Sequence, residues 1–159
     1  MKLSARLSSL AAATAMATAG LAIAAPSASA HSESDLSGIC GGGYSIVSDA
    51  GGIDGKAKRP VRTPAGTRWG YVYLLYNSGN GNNCVVTLKT TFHGTPSLTN
   101  AVLWVQGRDN PYVDQGDYSH YADVQAKGDN KCVAYSGAIA NPNNSTVATG
   151  GRPEWGNCG

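Results

Sequence analysis

Glutamate is nearly absent from the body of this chain. After residue 30 the only two are Glu33 and Glu154, one near each end, so the embedded carboxylate pair of a glycoside hydrolase is not expected. No G-x-S-x-G elbow occurs, which removes the usual signature of a serine nucleophile on a strand-to-helix turn. No C-x-x-C occurs either, and the gaps between cysteines are too long for a zinc knuckle. Charged residues make up only 14% of the chain, with one local basic cluster at Lys56, Lys58, Arg59, Arg62 and Arg68. Past residue 30 there is no long apolar run and no helical periodicity.

The histidines are few: His31, His93 and His120. Ser119, His120 and Asp117 contain the residue types of a catalytic triad. Successive residues of a regular strand point to opposite faces, however, so Ser119 and His120 are not expected to cooperate. Asp114-x-x-Asp117 offers oxygens to calcium but lacks the ligand count and closing Glu of a recognisable loop. Neither catalytic residues, nor a metal, nor a cofactor is expected.

Residues 1–30 read as a secretory signal. Lys2 and Arg6 form a basic start, an Ala-rich apolar stretch follows, and Pro26-Ser27-Ala28-Ser29-Ala30 supplies a helix breaker and a small-x-small cleavage pattern. Cleavage is expected after Ala30, so that the exported chain begins at His31. No Cys stands at position 31 to take a lipid, and no membrane attachment is expected after cleavage. Of the 12 basic and 10 acidic residues, two basic ones leave with the signal, and the remainder is neutral. A neutral domain has no electrostatic case for nucleic acid or an anionic membrane. Residues 31–38 are polar and are expected as a flexible start, followed by one domain over 39–159.

Cys40, Cys84, Cys132 and Cys158 all lie in the exported part, which predicts two disulfides in an oxidising compartment. Cys40–Cys84 with Cys132–Cys158 is the expected pairing, because it closes the shortest loops. The nested alternative joins Cys40 to Cys158 and Cys84 to Cys132, using as partners two cysteines that each enter a strand through Cys-Val.

Short β-favouring runs alternate with Gly/Asn clusters throughout. Trp69–Tyr76 is apolar on both faces, with Trp69, Tyr71, Tyr73 and Leu75 opposed to Val72, Leu74 and Tyr76, and predicts a central strand covered on two sides. The cluster at 78–83 turns it into a second strand over 84–92, as a hairpin. Further strands are expected at 41–49, 101–106 and 145–149, and a second hairpin from 118–126 into 131–140, while 50–67, with its basic residues, is read as a solvated loop. The fold class is all-β: a small single-domain sandwich or barrel of about seven short antiparallel strands with two disulfides.

Eight Tyr and three Trp against one Phe is an amphipathic choice of ring. Trp69, Trp104, Trp155, Tyr118 and Tyr121 are the candidate contacts to a glycan or a surface, and solvent-facing rings on one sheet would favour glycan binding over a core role.

Several motifs together resemble a known family. Cys40-Gly41-Gly42-Gly43-Tyr44, Tyr71-Val72-Tyr73-Leu74, Asn83-Cys84-Val85-Val86-Thr87, Val113-Asp114-Gln115-Gly116-Asp117-Tyr118 with Tyr121-Ala122, Cys132-Val133 and the closing Asn157-Cys158-Gly159 resemble the spore-associated protein A family. Members are small secreted proteins of spore-forming actinobacteria. The resemblance implies association with a spore or cell surface and carries over no functional residue. The chain departs from the family pattern in a longer connection over 51–68 and in Asp123 after Tyr121-Ala122. The expected function is that of a non-enzymatic extracellular or spore-surface protein, whose partner is a cell-wall or spore-surface polymer. A carbohydrate-binding module is the alternative, and a protease inhibitor or small hydrolase the third reading.

Overall fold

The computed structural model describes residues 31–158; the leader read at 1–30 lies outside the described residues. A 3-10 turn (Glu33–Asp35) and a one-turn helix α1 (Leu36–Ile39) precede nine strands: β1 (Ser45–Ile46), β2 (Lys58–Arg62), β3 (Arg68–Asn77), β4 (Asn82–Lys89), β5 (Ser97–Val105), β6 (Tyr112–Tyr118), β7 (Tyr121–Lys127), β8 (Val133–Ala140) and β9 (Val147–Gly156). All pairings are antiparallel, in the order β6-β5-β8-β9-β2-β3-β4-β7, with β1 extending the edge of β2 along β3. The sheet curls into a nearly closed barrel. Its two outer strands, β6 and β7, are consecutive in the chain and are joined by Ser119 and His120 alone.

Two apolar layers flank β3 and β4, as the two-sided pattern of β3 requires. Val72, Leu74, Val85, Leu103, Val133, Tyr135 and Ile139 fill the barrel interior. Tyr73, Leu75, Val86 and Leu88 face outward and are covered by Leu36, Cys40 and Tyr44. Trp69 departs from the expected alternation and joins the interior. Its carbonyl accepts from both Thr90 and Thr91 at 2.9 Å, and the β2–β3 register shifts between Val61 and Arg62, so the strand is bulged where Trp69 turns inward.

The strand expected at 145–149 falls in β9, which pairs with β8, and the predicted β3–β4 hairpin is present. The hairpin expected from 118–126 into 131–140 is not. β7 pairs with β4, and β8 lies between β5 and β9. The reason lies in the intervening turn, where Gly128 N–H donates to Gly81 O at 3.0 Å, docking that turn on the β3–β4 loop instead of folding β8 back on β7. The solvated loop expected at 50–67 also contains a strand. Lys58 to Arg62 pair with β3, whereas the β2–β9 ladder is confined to Arg62–Thr149, on a strand where Pro60 has no N–H to give. Its basic side chains are engaged: Lys58 with Glu33 at 2.9 Å and Arg59 with Asp49 at 2.8 Å.

Residues 31–38, expected as a flexible start, are docked. Glu33 bridges Lys56 and Lys58, and these two hydrogen bonds hold its carboxyl below the ordinary glutamate range. Leu36 is buried against the outer face of β3 and β4, and Cys40 is bonded to Cys84 of β4. The described chain from His31 onward is thereby carried across the barrel wall to the β6–β7 turn.

Inside that end lies Lys89, fully buried at the last position of β4. Its ammonium donates to Thr95 O (2.8 Å), Ser97 Oγ (2.7 Å) and Tyr118 O (2.8 Å), and its backbone N–H donates to His120 O at 3.0 Å. One side chain thus ties the β4–β5 turn to the β6–β7 turn. Burial pushes its pKa down, opposed by Asp117. Lys89→Met is expected to cost about 2–4 kcal/mol in urea unfolding, because one buried and two part-buried acceptors lose their donor; a loss near zero would show that water replaces it.

Cys132–Cys158 joins the chain just before β8 to the segment just after β9. The sequence separations of 44 and 26 give loop-entropy contributions of about 3.5–4 kcal/mol for each bridge. Removing the second by Cys132→Ala with Cys158→Ala is expected to lower the denaturation midpoint with little change in slope, and peptide mapping without reductant is expected to recover Cys40–Cys84 and Cys132–Cys158 fragments.

Candidate functional site

The site forms where the barrel fails to close. No ladder joins β6 to β7 among the described residues, so their facing edges need other partners. Asp114 of β6 supplies one. Its Oδ2 accepts from the Asp123 backbone N–H at 3.1 Å, and its Oδ1 accepts from Tyr118 OH at 2.5 Å. The result is a groove of about 450 Å³ lined by Asp114, Tyr118, Ser119, His120, Tyr121 and Asp123. Its electrostatics follow from the crowding of two carboxylates. Asp123 is raised above the ordinary aspartate range by burial and then by the charge of Asp114. Tyr118 is raised by its hydrogen bond to Asp114.

At the end of this groove the three histidines meet. The β4–β5 turn presents His93, and its backbone is locally forced: Phe92 has φ 59°, in the left-handed region that non-glycine residues rarely occupy. The Phe92 ring stacks edge-on to Trp69 at 5.1 Å, which holds the turn in that conformation. The β6–β7 turn presents His120, whose Nδ1 lies 3.0 Å from His93 Nε2. The docked segment ahead of α1 presents His31, whose Nδ1 lies 3.3 Å from the same atom and whose backbone N–H donates to it at 3.2 Å. One potential ligand nitrogen from each ring falls within 4.8 Å of the others. All three rings are partly exposed, and Tyr121 packs edge-on to His31 at 5.2 Å. Burial lowers the pKa of His93, with smaller contributions from His120, His31 and Lys89.

This gathering was not expected from the sequence, which places the three imidazoles at a terminus and in two separate segments. The objection to Ser119 and His120 cooperating assumed a regular strand, whereas both residues form the turn between β6 and β7 and both line the groove. His120 nevertheless points Nδ1 at His93, and both oxygens of Asp114 are occupied. Asp117, the other carboxylate considered, lies on β6 outside the groove lining. The signal that could have revealed the cluster is the combination of His31 at the expected cleavage point with His93 and His120 in polar turns.

The candidate aromatic contacts divide into three places. Trp69 lies in the barrel interior, 9% exposed, and cannot reach a surface ligand. Tyr118 and Tyr121 flank the β6–β7 groove. Trp104 and Trp155, the latter 52% exposed, line a separate small cleft of about 170 Å³ with Ala134 and Pro153.

No family model matches the chain. No solved structure matches it. It is 37% identical over 131 residues to spore-associated protein A from Streptomyces coelicolor, an alignment covering 77% of this chain and 73% of that protein. The motifs quoted from the sequence, the identity and the coverage of both chains lead to one assignment: the chain belongs to the spore-associated protein A family.

Proposed function

We propose that this is an exported, spore-associated protein that acts at the spore or cell surface as a non-catalytic binding module. The observation that carries the reading is the pair of disulfides, which fasten the segments before β1 and after β9 to the barrel. Such bridges persist outside the cytoplasm and keep a small domain intact there. The name of the relative, spore-associated protein A, supports action at the spore. The reading of the groove as a binding surface is supported by Asp114, which spends both oxygens on Tyr118 and Asp123 in holding the two strand edges together. A broad hydrolase panel on protein beginning at His31 is expected to read at background, and the protein is expected in the spore-surface fraction. Activity that disappears on His120→Ala or Asp114→Asn, or confinement to the cytoplasm, would contradict this.

A glycan-binding version of the same reading is favoured by the Trp104–Trp155 cleft, where two indoles with a proline between them offer stacking faces to a sugar. Trp104→Ala and Trp155→Ala are each expected to weaken retention on insoluble peptidoglycan or chitin by roughly 2- to 10-fold, the equivalent of about 0.5–1.5 kcal/mol. Unchanged retention in both variants would remove the glycan role of this cleft.

A further inference from the structure

Two independent observations meet at His31. Along the sequence, Ala28-Ser29-Ala30 carries the small-x-small pattern expected at a cleavage point, and cleavage there makes His31 the first residue of the exported chain. In the structure, the backbone nitrogen of that residue points into a cluster of imidazoles, 3.2 Å from His93 Nε2, instead of into solvent or a strand ladder. Before cleavage this nitrogen is an amide, whose lone pair is delocalised into the carbonyl and is a poor ligand. After cleavage it is a primary amine, which binds metal when deprotonated.

We propose that removal of residues 1–30 completes a four-nitrogen copper(II) site formed by the α-amine and Nδ1 of His31, Nε2 of His93 and Nδ1 of His120. The amine and Nδ1 of His31 belong to one residue and close a six-membered chelate ring on a shared ion. The other spacings suit a common centre. With metal–nitrogen bonds of about 2.0–2.1 Å, neighbouring ligand nitrogens stand about 2.8–3.4 Å apart. The observed separations from His93 Nε2 are 3.2 Å to the backbone nitrogen, 3.3 Å to His31 Nδ1 and 3.0 Å to His120 Nδ1.

The donor set selects the metal. It contains only nitrogen, with no thiolate and no carboxylate among its members, and such sites bind copper(II) above the other divalent first-row ions. The surrounding fold keeps the ligands in place without the ion. Lys89 holds the two turns together, and Leu36, Glu33 and the Cys40–Cys84 bridge hold the segment that carries His31. The proposal rests on the export reading, because an unprocessed chain has no amine at this position.

The test compares two otherwise identical proteins, one beginning at His31 and one retaining Ala30 before it. Each is titrated with copper(II) alone, in competition with a chelator, and followed by electron paramagnetic resonance. The form beginning at His31 is expected to bind a single copper(II) with nitrogen hyperfine structure, at least about 10-fold more tightly than the Ala30 form, which keeps all three imidazoles and lacks only the amine. His93→Gln and His120→Gln are each expected to weaken binding by a similar factor, with unchanged circular dichroism showing that the fold is intact. Equal affinity of the two forms, tighter zinc than copper binding, or a spectrum unaltered in both variants would overturn the site. Sequencing the N-terminus of the natural secreted protein addresses the export reading separately: a start other than His31 would remove the amine in the organism even where the engineered form binds copper.

Discussion

A buried ammonium group joins what backbone hydrogen bonding leaves apart. The sheet reaches its two edges at β6 and β7 and does not zip them together, so the barrel would be open at the very place where its consecutive edge strands turn. Lys89 bridges that end from within, with its three donors directed at the β4–β5 turn, the start of β5 and the end of β6. A lysine is costly to bury unless its protons are all placed, and here each has an acceptor. The arrangement leaves a polar groove outside and fixes the two turns that carry His93 and His120 relative to each other.

The third histidine is brought to the same place by a different device. The segment from Glu33 to Cys40 is held by an ion pair to β2, and by a buried leucine and a disulfide on the outer wall of β3 and β4. Removing any one would leave the other two. This makes the first residues of the described chain part of the domain's wall, and it explains why β3 and β4 carry apolar side chains on both faces: one face fills the barrel, and the other receives α1.

Much of the fold was legible in the residues. The alternation in Trp69–Tyr76, the Gly/Asn turns and the local closure of the cysteine loops lead to β3, β4, β8, β9 and both disulfides. The parts that were not legible share a cause, since each depends on contacts remote in sequence. β2 carries Pro60 and a run of basic residues, and becomes a strand only because β3 pairs with it. β6 contains Asp114-Gln115-Gly116-Asp117, which reads as a turn, and is held as an edge strand by β5. The β7–β8 connection has the composition of a hairpin turn and is diverted by its bond to Gly81. Trp69 changes face through a bulge that only the register of the neighbouring strands reveals. The histidine cluster is the extreme case, with separations of 62 and 27 residues between hydrogen-bonded imidazoles. Spacing along the chain says nothing about such a meeting, which follows from two turns and the docked segment ahead of α1 arriving at the same end of a barrel.

The meeting of the three imidazoles is a property of the folded protein in solution. Through-space NMR contacts between imidazole ring protons, measured on metal-free protein beginning at His31, test it most directly. Contacts from His93 to both His31 and His120, with a further contact from His31 to the Tyr121 ring, are the predicted result. A His31 ring that shows no contact to either of the other two would contradict it, and would return the chain's first residues to solvent.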